Sequence, residues 1–343
     1  MQETILVTGG NGFVGMRLIF ELLQKGYRVK TTLRSLSSKD EVLKTFKLNG
    51  ITAFNNLSFV ETDLSKDDNW DNVMAGCAYV LSVASPLFSG IPKDEEEAMR
   101  PAREGIIRIL KAAREARVKR VVMTSNFGAV GFSNQNKNSI TTEENWTNPD
   151  QTGLSIYEKS KLLAERSAWD FIKNEGGDLE FATINPVAIL GPSLSEHVSG
   201  SFGLLKHLLD GSMKAIPNIL LNVVDVRDVA DLHIRAMTSP KANGQRFIAS
   251  ADGQISMPEI AVLLKNKMPQ VAENISSKRV PNFVINVTSL FNKQAKEALL
   301  LLTMNRNVSN AKAKELLGWT PIASNEEAIL ASVESMIKYK IIK

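Results

Sequence analysis

The stretch Thr4-Ile-Leu-Val-Thr-Gly-Gly-Asn-Gly-Phe-Val-Gly15 decides the fold. Four apolar or β-branched residues run into glycines at Gly9, Gly12 and Gly15, and an amphipathic segment, Met16 to Gln24, follows at once. This order predicts a strand, a tight turn and a helix. Glycine lets the backbone bend sharply, leaves room for a ligand to touch the main chain and lets the helix sit close to the strand. The free N–H groups of the helix's first turn, with the positive end of its dipole, then favour a phosphate. A βα turn that merely needs room has the same composition. Placement directly between a strand and a helix points to a dinucleotide site, with Asn11, Phe13 and Val14 sharing the turn.

Working outward, the rhythm repeats. Tyr27 to Leu33, Leu57 to Val60, Tyr79 to Val83, Arg120 to Thr124 and Phe181 to Ile184 read as strands. Helices are expected at Asp40–Leu48, Asp68–Met74, Glu95–Ala116 and Tyr157–Lys173. Short buried strands alternating with helices imply an α/β fold, a doubly wound parallel sheet with right-handed crossovers, whose ligands bind at the carboxyl ends of the strands. Residues 126–155 form a long polar loop. Beyond Asn185-Pro-Val-Ala-Ile-Leu-Gly-Pro192 the elements shorten: an amphipathic piece from Phe202 to Asp210, a strand near Leu220 to Val224, a helix from Asp228 to Met237, a strand from Gln245 to Ala249 and a capped helix from Ser256 to Lys267. Two final helices, Asn282–Leu302 and Asn310–Leu317, end at Gly318-Trp-Thr-Pro321. We therefore expect a dinucleotide-binding domain over 1–186, with 220–250 returning to it, and a smaller, interleaved C-terminal substrate lobe over 187–343.

At 343 residues, 43% hydrophobic and 23% charged, the chain can bury a core without staples. The single cysteine, Cys77, excludes an intramolecular disulfide and fits a reducing compartment. No charged-then-apolar leader and no long apolar run are seen, so a cytoplasmic protein with no membrane partner is expected. The net charge of +4 is spread over interspersed signs, and the basic run Arg114 to Arg120 carries no aromatic residues, which argues against nucleic acid. His197, His207 and His233 show no metal spacing, and no metal is expected.

The strand ends define the ligand. About 20 residues beyond such a turn an acid reads a free ribose 2′-hydroxyl, whereas a basic residue reads a 2′-phosphate. Here Leu33 stands where the acid is expected, Arg34 follows and Lys39 is near. A guanidinium pairs a phosphate through two parallel hydrogen bonds, so Arg34 implies NADPH rather than NADH, unless it is simply a surface arginine. Asp63, with Leu64, either meets the adenine or caps the next helix.

The chemistry is carried by Tyr157-Glu-Lys-Ser-Lys161. Spacing of four puts phenol and ammonium on one helix face, where the cation is expected to lower the tyrosine pKa. Tyr157 then gives a proton to a carbonyl oxygen as hydride reaches its carbon.

With Thr8-Gly-Gly-Asn-Gly-Phe-Val-Gly15, Asp63-Leu64, Val83-Ala-Ser-Pro86, Thr124-Ser125, Tyr157 with Lys161, Asn185-Pro186 through Gly191-Pro192, Val224-Asp-Val-Arg-Asp-Val-Ala230 and Leu316-Leu-Gly-Trp319 in this order, the chain resembles the extended short-chain dehydrogenase/reductase family over nearly its whole length. It looks most like the branch of dihydroflavonol 4-reductase, cinnamoyl-CoA reductase and microbial aldehyde or ketone reductases. The resemblance implies that Lys161 also holds the nicotinamide ribose, that Pro186 and Ile189 line the nicotinamide face, and that Val83, Ala84, Ser85 and Thr124 border the cofactor. It also exposes a departure. The family's Thr-Ser-Ser reads Thr124-Ser125-Asn126, so the group that orients the carbonyl is either Ser125 or Asn126.

These expectations add up to an NADPH-dependent reductase of aldehydes or ketones, acting as a monomer or homodimer on a small carbonyl substrate. A nucleotide-sugar epimerase or dehydratase on the same frame and a non-catalytic NADPH sensor are the alternatives. Phe88, Phe127, Phe132 and Phe202 suggest an apolar or aromatic-tolerant pocket, although core packing explains each equally well.

Overall fold

Alternation along each strand splits the sheet's apolar residues between two covered faces. The computed structural model describes residues 3–85 and 94–342; Pro86 and Phe88 lie outside them. Six strands, β1 (Thr4–Val7), β2 (Arg28–Leu33), β3 (Leu57–Glu61), β4 (Cys77–Ser82), β5 (Arg120–Thr124) and β6 (Glu180–Pro186), join the strand Gln245–Ala249 in one sheet. Its order is Gln245–Ala249, β6, β5, β4, β1, β2, β3, and every pairing is parallel. Ile5 and Val7 point to a core shared with α1 (Phe13–Gln24) and α2 (Lys39–Leu48). Leu6 points the other way, to a core shared with α3 (Trp70–Met74), α4 (Glu95–Glu115) and α5 (Ile156–Glu175). Period-two burial on both faces is what a parallel sheet between two helix layers requires.

The chain winds outward from β1 to β3, then returns to place β4 on the other side of β1. This reversal opens a crevice at the carboxyl ends of β1 and β4, where ligands of such sheets bind. The glycine turn stands at that point.

The later elements form a second core. Strand β7 (Ala188–Leu190) pairs in parallel with Val223–Asp225. Around it pack α6 (Phe202–Leu209), the helix Met257–Lys267 and the helix Asn325–Lys338, through Leu205, Leu264, Ile329 and Val333. The helix α7 (Val226–Thr238) belongs instead to the first core, through Val229 and Leu232.

Three expectations are corrected. The single strand near 220–224 is two pieces: Leu220–Leu221 pairs antiparallel with Ile255–Ser256, and Val223–Asp225 pairs with β7, because Asn222 between them donates its amide to the Gly253 and Arg306 carbonyls. The helix expected over 282–302 is two helices, Asn282–Thr288 and Lys293–Thr303, the second capped by Asn292. The chain does not end its helices at Leu317. Asn325–Lys338 follows, started by a capping box of Ser324 and Glu327, with Ala328, Ile329, Val333 and Met336 buried at helical spacing.

Candidate active site

The glycine turn is built by close approach. Gly9 adopts φ +74°, and its N–H donates to the Thr32 hydroxyl at 3.0 Å. A Cβ on Gly15 would lie 2.2 Å from the Gly9 carbonyl oxygen, and one on Gly10 would lie 2.2 Å from the Thr31 hydroxyl. The buried Thr8 hydroxyl accepts from the N–H groups of both Val83 and Ala84 at 2.9 Å, which draws the end of β4 against the turn. Helix α1 begins at Gly12 with no side chain capping it. Its first-turn N–H groups are thus left for a ligand, so the turn fits the pyrophosphate of a dinucleotide. Phe13 is 8% exposed and packs edge-on against Phe202, with ring centroids 5.3 Å apart, so only its main chain serves the turn. Asn11 and Val14 are half-buried beside it.

At the far end of the crevice, Arg34 leaves β2 exposed to solvent. Lys39 opens α2, its ammonium 5.7 Å from the centre of the Phe59 ring. Asp63 turns one oxygen back on the chain, accepting from the N–H of Ser65 at 2.9 Å and its hydroxyl at 2.8 Å. Those hydrogen bonds hold its carboxyl below the usual carboxylate range, with a smaller push from Lys66 and Arg34. Leu64 lies against Gly105, where an added Cβ would come within 3.3 Å of it.

The chemical end gathers around α5. The Ser155–Glu158 capping box starts this helix and sets Tyr157 in its first turn, 41% exposed. Lys161, one turn on, is buried, and its ammonium donates to the Thr124 carbonyl at 3.2 Å. Burial pushes that ammonium down to about 8, while the charge of Glu165 works against the shift. A small cavity of about 20 Å³ adjoins it, walled by Ser82, Ala84, Ser85, Leu64, Met123 and Thr124 among others.

The Tyr157 pKa moves opposite to expectation. Partial removal of the phenol from water by its surroundings, then the neighbouring charge of Glu158, push it up, and the Asn126 side chain opposes them by hydrogen bonding. Lys161 is not among the groups that shift the phenol. At neutral pH Tyr157 therefore holds its proton.

Ser125 and Asn126 are separated by their partners. The Ser125 hydroxyl is buried and donates to Glu165. Asn126 Oδ1 accepts from the Gly128 N–H at 2.5 Å. That bond fixes which way the amide faces, and leaves its NH₂ as the group available to Tyr157. Pro186 ends β6, and Ile189, half-buried in β7, bridges the two cores.

Four partners of this site were not read from the sequence: Glu165, Asn185, Arg246 and His233. Glu165 alone had a local signal, an acid one turn beyond Lys161. His233, fully buried, donates from Nδ1 to the Val229 carbonyl at 2.7 Å, so its Nε2 accepts from the Thr124 hydroxyl at 2.7 Å. Burial pushes it down to about 4, so the ring is neutral. The aromatic pocket loses its support, since Phe127, Phe132 and Phe202 are all core residues, at 2%, 8% and 1% exposed. The loop 126–155 is pinned by Arg246, which donates to the Glu143 and Asn145 carbonyls at 2.7 and 2.9 Å and lies 3.6 Å from the centre of the Trp146 ring. Among the described residues, Glu41, Glu196 and His197 bring ligand-type atoms within 4.8 Å of one another, a grouping invisible to sequence spacing. They sit on the surface, with His197 and Glu41 paired at 2.8 Å. No helix of the described residues is long and apolar enough to cross a membrane.

Comparison with known proteins agrees with this geometry. The family described as 3-beta hydroxysteroid dehydrogenase/isomerase matches residues 6–254. Anthocyanidin reductase of Vitis vinifera is 31% identical over 287 residues, covering 78% of this chain and 82% of that protein. Dihydroflavonol 4-reductase of Hordeum vulgare is 33% identical over 275 residues, covering 78% of this chain and 75% of that one. Among solved structures, yeast methylglyoxal/isovaleraldehyde reductase Gre2 complexed with NADPH superposes with a TM-score of 0.80 at 27% identity, covering 98% of this chain and 99% of that one.

Proposed function

Because the chain belongs to the 3-beta hydroxysteroid dehydrogenase/isomerase family of extended short-chain dehydrogenases/reductases, we propose that it is an NADPH-dependent reductase of aldehydes and ketones in which Tyr157 is the proton donor. The observation that carries this reading is a protonated, accessible phenol beside a side-chain amide, at the strand ends where the glycine turn opens.

NADPH supplies the hydride that adds to the carbonyl carbon. The residues around it have separable tasks. The uncapped first turn of α1, with Gly9, Gly12 and Gly15 around it, receives the pyrophosphate, and Arg34 pairs the 2′-phosphate. Asn126 donates from its amide to the carbonyl oxygen and orients it, which is the role left open between it and Ser125. Tyr157 passes its proton to the same oxygen as negative charge builds there. The phenolate that remains is held by the Asn126 amide, while the buried Lys161 ammonium, anchored on the Thr124 carbonyl, holds the nicotinamide ribose. Below about 8 that ammonium is charged, and above it this hold on the ribose weakens, so turnover is expected to fall on the alkaline side.

The test is loss of NADPH absorbance with a panel of aliphatic and aromatic aldehydes and ketones, using wild-type protein and Tyr157→Phe. The variant keeps the ring and loses only the hydroxyl, so kcat is expected to fall by about 10²-fold or more. Turnover unchanged in Tyr157→Phe would remove Tyr157 from the mechanism.

A further inference from the structure

Glu165 is fully buried in α5 and makes more polar contacts than any other carboxylate near the site. Its Oε2 accepts from the Ser125 hydroxyl and from Asn185 Nδ2 at 2.6 Å. Its Oε1 accepts from Arg246 Nε at 2.7 Å and from Trp169 Nε1 at 3.3 Å, with the Thr183 hydroxyl at 3.1 Å. One carboxylate thus ties the helix that carries Tyr157 and Lys161 to β5, β6 and the strand Gln245–Ala249. Asn185 Nδ2 also donates to the Asn126 carbonyl at 3.3 Å. The backbone at Asn126 is gripped from both sides, through the hydroxyl of its predecessor and through its own carbonyl, and both grips run back to Glu165.

A buried ion pair is a poor way to gain stability, since apolar residues of the same volume often stabilise as much or more. What Glu165 and Arg246 supply instead is direction, because each carboxylate oxygen accepts along fixed lines. We infer that Glu165 is a positioning residue for carbonyl reduction: it turns the Ser125 hydroxyl away from the crevice, holds the Asn126 amide toward Tyr157, and is the counter-charge of Lys161. The catalytic part of this inference rests on the reading of Tyr157 and Asn126 given above.

The surroundings of Lys161 support the electrostatic part. Its ammonium is held by the Thr124 carbonyl at the end of β5, the charge of Glu165 acts on it from its own helix, and the small cavity beside it is lined by Ser82, Ser85, Ala102 and Ile106. Among the described residues, Glu165 is the carboxylate that acts on its charge, and Glu165 is itself faced by Arg246, near which lies Glu143. Loss of the Glu165 charge lowers the pH at which Lys161 gives up its proton.

Two variants test this, with folding checked by circular dichroism. Glu165→Gln removes the charge and puts a donor where Ser125 and Asn185 need an acceptor. Its kcat is expected to fall by about 10²-fold, as a misplacement of about 1 Å does, and the alkaline limb of its kcat profile to move to lower pH. Glu165→Asp keeps the charge and shortens the reach, so kcat is expected to fall while the alkaline limb stays in place. A folded Glu165→Gln protein with wild-type kcat and limb overturns the inference. If Glu165→Gln does not fold, wild-type kcat in Glu165→Asp overturns it. Absence of carbonyl turnover in the wild-type protein would instead defeat the reading of the previous subsection. Positioning is then read from a crystal structure of Glu165→Asp, where an unmoved Asn126 side chain overturns it.

Discussion

Asn126 and Ser125 show how single residues divide labour in this site. They are neighbours in sequence and both can donate to a carbonyl oxygen. One hydrogen bond each separates them: Ser125 is taken by Glu165 beneath the site, and the Asn126 oxygen is taken by Gly128, which turns the amide NH₂ outward. At the other end of the crevice, Arg34 is the residue proposed to read the 2′-phosphate and so to set the choice of cofactor. Its exposure means it contributes little to folding, so Arg34→Ala is expected to fold normally. A charge-assisted hydrogen bond contributes about 1.5–3 kcal/mol, and its loss should lower the preference for NADPH over NADH by about 10- to 150-fold in kcat/KM. An unchanged preference would reassign the phosphate contact.

At the scale of elements, the closing Leu316-Leu-Gly-Trp319 segment acts as a clamp. Gly318 ends its helix at φ +59°, which glycine adopts without strain, and this turns Trp319 into the core. Trp319 is 0% exposed, and its indole N–H donates to the Asp228 carbonyl at 3.1 Å. The Asp228 carboxylate in turn accepts from the Ile322 N–H at 2.8 Å. The helix α7 is thereby tied to the last part of the chain, and α7 carries His233 beneath Thr124. Trp319→Ala leaves a large cavity and is expected to lower unfolding free energy by about 3–5 kcal/mol in urea titrations. A loss under about 1 kcal/mol would show that the clamp carries little of the stability.

For the whole molecule, pH acts through buried groups of opposite sign. His233 is neutral in the fold with a pKa of about 4, against 6.5 in an open chain. Below 6.5 the unfolded chain binds a proton that the folded one does not, so this contribution is present above 6.5 and is lost as pH falls toward 4. The shift corresponds to about 3 kcal/mol. Asp228, pushed up to about 6 chiefly by burial, works in the other direction, because the folded state binds its proton first as pH falls. The net acid response of the wild-type protein mixes both. A difference isolates one: the stability gap between wild type and His233→Gln is expected to shrink as pH is lowered from 7.5 to 4. A constant gap would mean that His233 does not titrate as its burial requires.

The sequence alone determined the parts of this protein whose partners are close in the chain. A strand, three glycines and a helix fall within Thr4–Gln24, and four-residue spacing is enough to put Tyr157 and Lys161 on one face. The parallel sheet followed from repetition of the same unit. Short-range reading failed where an element is defined by what covers it. The helix Asn325–Lys338 lay behind a Gly and Pro stop signal, and the strand near 220–224 was divided by an asparagine whose partners, Gly253 and Arg306, come much later. The site divides in the same way. Glu165 meets Ser125, Asn185 and Arg246 across 40, 20 and 81 residues of chain, and Thr124 meets His233 across 109. Only the folded sheet brings those groups together. Tertiary structure therefore decided which of Ser125 and Asn126 faces Tyr157, and it set Tyr157 and Lys161 titrating on terms that their spacing did not predict, because burial and long-range hydrogen bonds act through space.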